Sequence, residues 1–505
     1  MTVRVLFLAI LGAASVSAAG DRSLSLKNAS DGYLVNGVRL PLTGPHHRVL
    51  ATTAAAGFHF GTAELVGAIE RAAKVVAERY PSSVLLVGNM SRERGGDIPV
   101  SVSHNSGRDA DLPFYVVDAR GRLVLEHGFV KFDAEGRSGA LRFDVKRNWA
   151  LVKALLTDRD VQVQWLFCAN SLRKLLLEHA RQVGEAADLV TRAEGVLGQP
   201  GNSSEHAEHF HMRLYCALHE RLQGCLNYGT MHAWVDDYSR EVALRVVELT
   251  RDFASQDVGR AVAAIRKVGD IRGAEAVPSL STALGDARPG VREAAAEVLA
   301  LLPGAAAATP GLVAALDAAA EPVWIARLVG TLAAVGDERA APVFARVLGD
   351  LRRARPETRA LAAAGLGHLL YPPGVPELGR ALDDPARPVR EAAASALERI
   401  TNHRFRPGPT GARECLAWWK AHHTEPRLTW VRQGFARYHH ISLGTSHLRQ
   451  PIAKLVALIR EGGAVSFNAR ALIAEATGYH LAEEHFTSVQ LYRFYSTWLR
   501  GAGLR

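Results

Sequence analysis

The chain has 505 residues, which is too long for one ordinary hydrophobic core, so length alone predicts about two to four domains. A hydrophobic fraction of 48% and a charged fraction of 22% are typical of a folded soluble protein and exclude a disordered one. The net charge of +9 favours an anionic partner, for which nucleic acid, anionic lipid and acidic cell-wall polymer all qualify. No Lys/Arg run is dense enough to indicate a nucleic-acid-binding arm, so no nucleic-acid partner is expected.

Residues 1–19 have the three parts of a secretory signal peptide. Arg4 lies in a short basic lead, the apolar run VLFLAILGAA follows, and small residues (SVSAAG) complete the pattern. The apolar run is too short to anchor the chain in a bilayer, and no cysteine follows Ala18 or Ala19 to accept a lipid. We therefore expect a periplasmic or secreted protein whose mature chain has no transmembrane segment.

Strand and helix signals of mixed order predict an α+β domain over residues 20–228. The clearest helix is Gly61–Tyr80, where Thr62 can cap the first turn, apolar residues recur at helical spacing, and Pro81 ends the pattern. The other predicted elements are a strand at Val84–Val87, a strand at Leu112–Asp118, a helix at Phe143–Thr157, a strand at Val161–Phe167, and a helix at Leu172–Val183 capped by Asn170 or Ser171.

Two short stretches carry residues of the kinds that bind metals. In SHNSGRDAD, His104 lies seven positions before Asp111, and in EHAEHFH, His209 and His211 lie two apart, so both project from one face of a strand. His206 can join them if the chain turns before that strand. Zinc at a hydrolytic site usually takes three protein ligands and leaves a fourth position for water. Two imidazoles and a carboxylate suit that arrangement, so the stretches together predict a zinc site.

The same stretches resemble the penicillin-insensitive murein endopeptidases, within the lysostaphin-like, D-Ala-D-Ala and hedgehog-type zinc peptidases. The motifs that carry the resemblance are VGNMSRERGGDIP from Val87, SHNSGRDAD up to Asp111, FDVKRNW from Phe143, and HAEHFHMRLYC from His206. The resemblance implies that His104, Asp111 and His211 are the zinc ligands and that His209 and His206 are catalytic. Family members often have a histidine where this chain has Ser101, and a serine cannot act as a base at neutral pH.

The four cysteines are too few to be the main source of stability. Cys216 and Cys225 are close enough to form a small disulfide-bonded loop, and they match a disulfide pair of the family. Cys168 lies in an apolar run and is expected to be a buried thiol, although the pairing of Cys168 and Cys415 stays open.

By resemblance, the protein is expected to hydrolyse peptidoglycan cross-links between D-Ala and a diamino acid. His209 or His206 would act as general base or stabilise the oxyanion, and spacing does not decide between them. Arg108 and Arg92 are candidates for binding substrate carboxylates. Two alternatives stay open: a scaffold protein with an inactive peptidase domain, which Ser101 favours slightly, and a D-Ala-D-Ala carboxypeptidase.

Beyond residue 228 the composition changes to Ala, Leu, Val and Arg, and an internal repeat appears. The repeat is marked by two series of prolines, each of which begins a helix: Pro278, Pro310, Pro342 and Pro376, then Pro289, Pro322, Pro356 and Pro388. Helix pairs that recur every 32 to 34 residues resemble HEAT repeats, so an all-α HEAT-like solenoid is expected at 229–402. A further helical region is expected at 403–505, and the repeats are expected to recruit a protein partner.

Overall fold

The computed structural model describes residues 22–200, 204–444, 448–481 and 487–502, and the signal peptide expected at 1–19 lies outside them. The described chain divides into two compact units. The first contains residues up to Gly198 together with His206–Glu220 and Cys225–His232, and the second contains the rest. No helix in the described ranges is both long enough and apolar enough to cross a membrane.

In the described ranges, every strand lies before residue 215. In chain order they are β1 (Leu24–Leu26), β2 (Tyr33–Val35), β3 (Val38–Arg39), β4 (His47–Val49), β5 (Phe60–Gly61), β6 (Leu85–Val87), β7 (Asp109–Pro113), β8 (Val116–Val117), β9 (Leu123–Val124), β10 (Arg137–Ser138), β11 (Leu141–Phe143), β12 (Val163–Phe167), β13 (Leu197–Gly198) and β14 (His209–Leu214).

The helices up to residue 318 are α1 (Ala51–Ala56), α2 (Ala63–Arg79), α3 (Val145–Leu156), α4 (Asn170–Gln182), α5 (Ala187–Val196), α6 (Leu218–Arg221), α7 (Ser239–Arg251), α8 (Val258–Asp270), α9 (Val277–Ala283), α10 (Pro289–Leu299) and α11 (Thr309–Ala318). The later ones are α12 (Pro322–Val335), α13 (Ala341–Gly349), α14 (Pro356–His368), α15 (Val375–Ala381), α16 (Arg387–Thr401), α17 (Pro409–His422), α18 (Arg427–His439), α19 (Arg449–Ile459), α20 (Gly463–Thr477) and α21 (Ser488–Gly501). The fold is therefore an N-terminal unit of mixed sheets and helices followed by a long run of helices.

The central sheet of the first unit has the strand order β13-β12-β14-β7. Strand β14 lies between β12 and β7 and is antiparallel to both. Alternate residues of these strands point to opposite faces. On one face Ala110, Leu112, Phe210 and Met212 are fully buried in the core that helix α3 covers. The opposite face carries the polar residues of β7 and β14 and is available for a site.

Most predicted elements of this unit are confirmed, with differences at their ends. The side chain of Thr62 accepts a hydrogen bond from the backbone N–H of Leu65 and caps α2, as expected. The cap predicted for the helix at 172–183 was wrong, because α4 begins at Asn170 after Ala169 and has no side-chain cap. Helix α5 was not predicted. The strand expected from Leu112 begins earlier, at Asp109, so part of the metal-type motif is itself a strand.

In the second unit the proline series mark helix starts as predicted. Prolines of the first series lie in the first turn of α9, α11, α13 and α15, and those of the second series in the first turn of α10, α12, α14 and α16. One apolar core cluster runs through residues 242–430, and another occupies 431–495. This part of the chain is thus helical and repeat-like.

Candidate metal centre

Two rows of side chains cross the strands on the polar face of the central sheet, beside His209, which is paired with Pro113. The register pairs His211 with Asp111 of β7 on one side and Phe167 of β12 on the other. In the next row Arg213 is paired with Asp109 and Trp165. The two rows lie on the same face because the residues of each strand are two apart. The long-range pairing of β7 with β14 therefore brings the two predicted metal stretches together.

One carboxylate oxygen is the centre of the cluster. Oδ1 of Asp111 lies 3.4 Å from Nε2 of His104, 3.2 Å from Nδ1 of His211 and 3.4 Å from Nε2 of His209. In a tetrahedral zinc site with bonds of about 2.0–2.2 Å, the ligand atoms lie roughly 3.3–3.5 Å apart. The observed spacings therefore fit atoms arranged around a shared cation.

His104 gives the clearest sign that the cluster suits a metal. Its side chain is completely buried, and neither ring nitrogen makes a hydrogen bond within the part of the chain that the structure describes. Its backbone has a φ of 75°, a left-handed conformation that a non-glycine residue rarely adopts. Because buried imidazole nitrogens without hydrogen bonds are costly, they fit ligand atoms that face a cation. The residues present thus fit a divalent metal.

The second ring nitrogen of His211 is held by a carboxylate behind it. Nε2 of His211 lies 2.9 Å from Oδ1 of Asp109, which is fully buried, so Nδ1 is the nitrogen that faces Asp111. Burial alone would lower the pKa of His211, but the hydrogen bonds to Asp109 and Asp111 outweigh it and raise the pKa to about 9. A carboxylate bonded to the outer nitrogen of a histidine ligand is a recurrent feature of metal sites, because it fixes the tautomer and the ring orientation.

Two further residues hold the aspartates. Nε of Arg213 donates to Oδ1 of Asp109 at 2.8 Å, and the side-chain amide of Asn89 donates to Oδ2 of Asp111 at 3.1 Å. Burial would raise the pKa of Asp109, but Arg213 and His211 hold it below its ordinary range. Asp109, Arg213 and Asn89 were not predicted as site residues from the sequence. The only signal for Asp109 was its position two residues before Asp111, which places both on one strand face.

His206 lies beside the other histidines. Its ring centroid is 5.2 Å from that of His209 and 5.8 Å from that of His211. Burial, with smaller contributions from His211 and His209, lowers the pKa of His206 to about 3. Phe129 contacts His209 edge-on with the ring centroids 5.2 Å apart. The chain therefore does turn before β14 and brings all the predicted histidines into one cluster.

In this region the described residues contain two groups of side chains that could bind a metal ion, and both groups include His211. One is His104, Asp111 and His211, which are all buried, and the other is His206, His209 and His211. A third such group, Glu64, His219 and Glu220, lies elsewhere in the unit. Both carboxylate oxygens of Glu220 already accept backbone hydrogen bonds there.

Ser101 reaches the cluster only indirectly. Its hydroxyl lies 3.3 Å from the hydroxyl of Ser103, which in turn lies 3.4 Å from Nε2 of His211. Ser101 thus belongs to a short chain of hydroxyl groups that ends at Nε2 of His211.

Arg108 does not have the role suggested for it. Its side chain is buried and donates to the hydroxyl of Ser25 at 2.9 Å and to the backbone carbonyls of Leu214 and Leu226 at 2.7 and 3.2 Å. All three of its nitrogens are therefore used inside the fold, and the expectation that it binds a substrate carboxylate was wrong. Nε of Arg92 donates to the backbone carbonyl of Asp97.

The cysteines follow the prediction. Cys216 and Cys225 form a disulfide, and Cys168 and Cys415 are free and buried. Burial raises the pKa of the Cys168 thiol to about 12, so this cysteine is inert at neutral pH. The disulfide closes a loop directly after β14.

The comparison with protein families agrees with the motifs. Residues 25–233 match the family model of the penicillin-insensitive murein endopeptidases. The resemblance predicted from the sequence is therefore confirmed for this part of the chain. No curated protein matches the chain.

Helical repeat proteins are found among the solved structures. The complex of CpcE and CpcF of phycocyanin lyase from Nostoc sp. PCC7120 is 18% identical, with 50% of this chain and 99% of that chain covered and a TM-score of 0.30. A designed armadillo repeat protein is 16% identical, with 46% and 100% covered and a TM-score of 0.25. Human deoxyhypusine hydroxylase is 17% identical, with 52% and 99% covered and a TM-score of 0.25.

Proposed function

Because residues 25–233 match the penicillin-insensitive murein endopeptidase family, we propose that this protein is an exported zinc metallopeptidase that hydrolyses peptidoglycan cross-links between D-Ala and a diamino acid. The observation that carries the proposal is the convergence of His104, Asp111 and His211 on one sheet face inside the matched region. Their ligand atoms all lie within 4.8 Å of one another, and all three side chains are buried.

In the proposed mechanism, His104, Asp111 and His211 hold the zinc ion. When bound, zinc supplies Lewis acidity, which lowers the pKa of water to about 7 and polarises a scissile carbonyl. Asp109 accepts a hydrogen bond from Nε2–H of His211, so Nδ1 is the nitrogen that would bind the ion. Asn89 fixes the Asp111 carboxylate from its other oxygen.

His209 and His206 are proposed as the catalytic residues. His209 is the better placed for proton transfer, because its side chain is partly exposed and its Nε2 lies next to Asp111. It would accept the proton of the attacking water and return it to the leaving amine. His206 lies beside it and is neutral at neutral pH, so its ring N–H can donate a hydrogen bond to the oxygen that becomes negative.

The remainder of the chain is proposed to be an interaction platform. Residues 20–228 would form the catalytic domain, 229–402 the HEAT-like repeats and 403–505 a further helical region. The run of paired helices supports the repeats, and the change to a second apolar core after Trp430 supports a further helical region toward the C-terminus. Stacked helix pairs offer extended surfaces to partners, so a protein partner is proposed for this part.

The proposal is tested by incubating the purified chain with purified sacculi, with zinc and with a chelator, and identifying the released muropeptides by mass spectrometry. Cross-linked dimers are expected to become monomers with zinc and to persist with the chelator. His211→Ala is the matched control and is expected to leave the dimers intact.

Other products would point to the alternatives. Release of free D-Ala without loss of cross-links would identify a D-Ala-D-Ala carboxypeptidase. If no chelator-sensitive product appears, both the endopeptidase and the carboxypeptidase hypotheses are wrong, and a scaffold protein is favoured.

A further inference from the structure

Arg213 lies on the face of β14 that carries the histidines, one row away from His211. Its Nε donates to Asp109, whose second oxygen, Oδ2, is buried and has no hydrogen-bond partner among the described residues. The backbone pairing also sets Arg213 beside Trp165 of β12. The guanidinium is thus anchored at one nitrogen and flanked by an aromatic residue.

The two remaining nitrogens of this guanidinium are not used by the fold. Within the described ranges, neither Nη atom of Arg213 makes a hydrogen bond or an ion pair, and 15% of the side chain is exposed. In Arg108, in contrast, all three guanidinium nitrogens donate hydrogen bonds to groups inside the fold. A guanidinium that is fixed in place and has free, accessible donors is suited to bind an anion from outside.

The donor geometry selects the kind of anion. An arginine fork matches the two oxygens of a carboxylate, and an orientation fixed beforehand lowers the entropy lost on binding. The Cα atoms of residues two apart on a strand are about 6.6–6.8 Å apart, so Arg213 is close enough to His211 to reach a residue that flanks the scissile bond. A peptide cleaved at the metal centre would therefore present to Arg213 a carboxylate near its scissile bond.

We propose that Arg213 is a specificity-determining residue, which binds a free carboxylate that the peptide substrate carries close to the cleaved bond. The inference rests on the proposed function and narrows its substrate class. The free carboxylate of the diamino acid is the group that meets the requirement, and substrates in which it is amidated should be poor ones.

The test uses two soluble cross-linked peptides that differ only at the diamino acid, as free carboxylate or as carboxamide. The wild type is expected to show a kcat/KM about 10- to 100-fold higher for the carboxylate peptide, the range expected for hydrogen bonds to a charged group. Arg213→Gln should bring this ratio close to one, and Arg213→Lys should keep part of it. The control, Arg122→Gln, removes an exposed arginine paired with Asp118 and should leave the ratio at the wild-type value.

The metal content of each variant is measured alongside, because Arg213 also contacts Asp109. If Arg213→Gln lowers kcat/KM equally for both peptides, the residue only positions Asp109 and the inference is overturned. If the wild type cleaves neither peptide, the proposed function fails, and the affinities of the two peptides by calorimetry decide the inference alone. A carboxylate preference that Arg213→Gln abolishes would support it, and equal affinities for the wild type would overturn it.

Discussion

Each unit of the molecule contains an arginine that is paired with a buried aspartate, and the two pairs are built differently. In the second unit, Nε and Nη2 of Arg359 donate to the two oxygens of Asp384 at 3.1 and 2.9 Å. Nη1 donates to the backbone carbonyl of Ala354 at 2.8 Å. Both side chains are almost fully buried. Since all three guanidinium nitrogens are used, this pair can only join one repeat to the next.

The pair in the first unit is incomplete. Arg213 and Asp109 share one hydrogen bond, which leaves Oδ2 of Asp109 and both Nη atoms of Arg213 without protein partners among the residues described. Unpaired polar groups cost stability, so they are retained most readily where a ligand or a reaction uses them. The comparison indicates that complete hydrogen bonding marks a structural ion pair and incomplete bonding marks one that is available for function.

The largest effect is expected when the histidine held by Asp109 is removed. His211→Ala should lose bound zinc and with it the activity, because it deletes a proposed ligand. His209→Ala should retain most of the zinc and lower kcat by about 10²- to 10⁴-fold, the usual contribution of a general base. Metal content by atomic emission and kcat on a soluble peptide would check both.

The two variants are matched controls for each other, since they lie two residues apart on the same strand face. Equal zinc loss in both would show that the ligand assignment is wrong and that the group His206, His209 and His211 binds the ion instead.

How much of the site could be predicted from the sequence depended on how local the signal was. The stretches SHNSGRDAD and EHAEHFH indicated a metal site, and the family resemblance of these motifs implied His104, Asp111 and His211, which the structure brings together. Arg213 and Asp109 are paired by the register between two strands about a hundred residues apart. No local pattern encodes that register, so their relation became visible only in the folded sheet.

The same distinction holds for the fold. Helix α2 was predictable because a cap, an apolar period and a proline all act within one segment. The proline series predicted the repeats for the same reason. The start of β7 was misplaced because Asp109 and Asp111 are charged residues, which strands seldom bury, although Ala110 and Leu112 alternate with them toward the core. Burial of aspartates on a strand depends on partners that the local sequence does not show.

The next largest effect is expected at the buried pair of Arg359 and Asp384 in the second unit, and it should change stability without changing activity. Arg359→Met leaves the buried carboxylate of Asp384 without a counter-charge and should lower the free energy of unfolding by about 3–5 kcal/mol. The double variant R359M/D384L removes both charges and should recover much of that loss. Denaturant unfolding followed by tryptophan fluorescence would measure both, and peptide hydrolysis should be unchanged in kcat/KM.

An exposed pair in the same unit provides the control. Arg387 and Glu391 are 80% and 55% exposed, so Arg387→Met should leave the free energy of unfolding close to the wild-type value. The proposed structural role of Arg359 and Asp384 would be contradicted if Arg359→Met lowered the free energy of unfolding no more than this control does. It would also be contradicted if the double variant recovered none of the loss.

The smallest effect is expected when Asp109 is replaced while the proposed zinc ligands stay. Asp109→Ala removes the acceptor that fixes Nε2 of His211 and should weaken zinc binding by about 10- to 100-fold. Asp109→Asn keeps an oxygen that can accept the same hydrogen bond but removes the charge. Competition with a zinc-binding dye would give the affinities, with Asp118→Ala, which changes an exposed turn, as the control.

The pair of Asp109 variants separates the two ways in which the carboxylate can act. If it orients the imidazole, Asp109→Asn should bind zinc nearly as tightly as the wild type and only Asp109→Ala should be weakened. If its charge makes His211 a stronger ligand, both variants should be weakened to a similar degree. Wild-type zinc affinity in Asp109→Ala would mean that the carboxylate does not support His211 as a ligand. Asp109 would then only hold the side chain of Arg213.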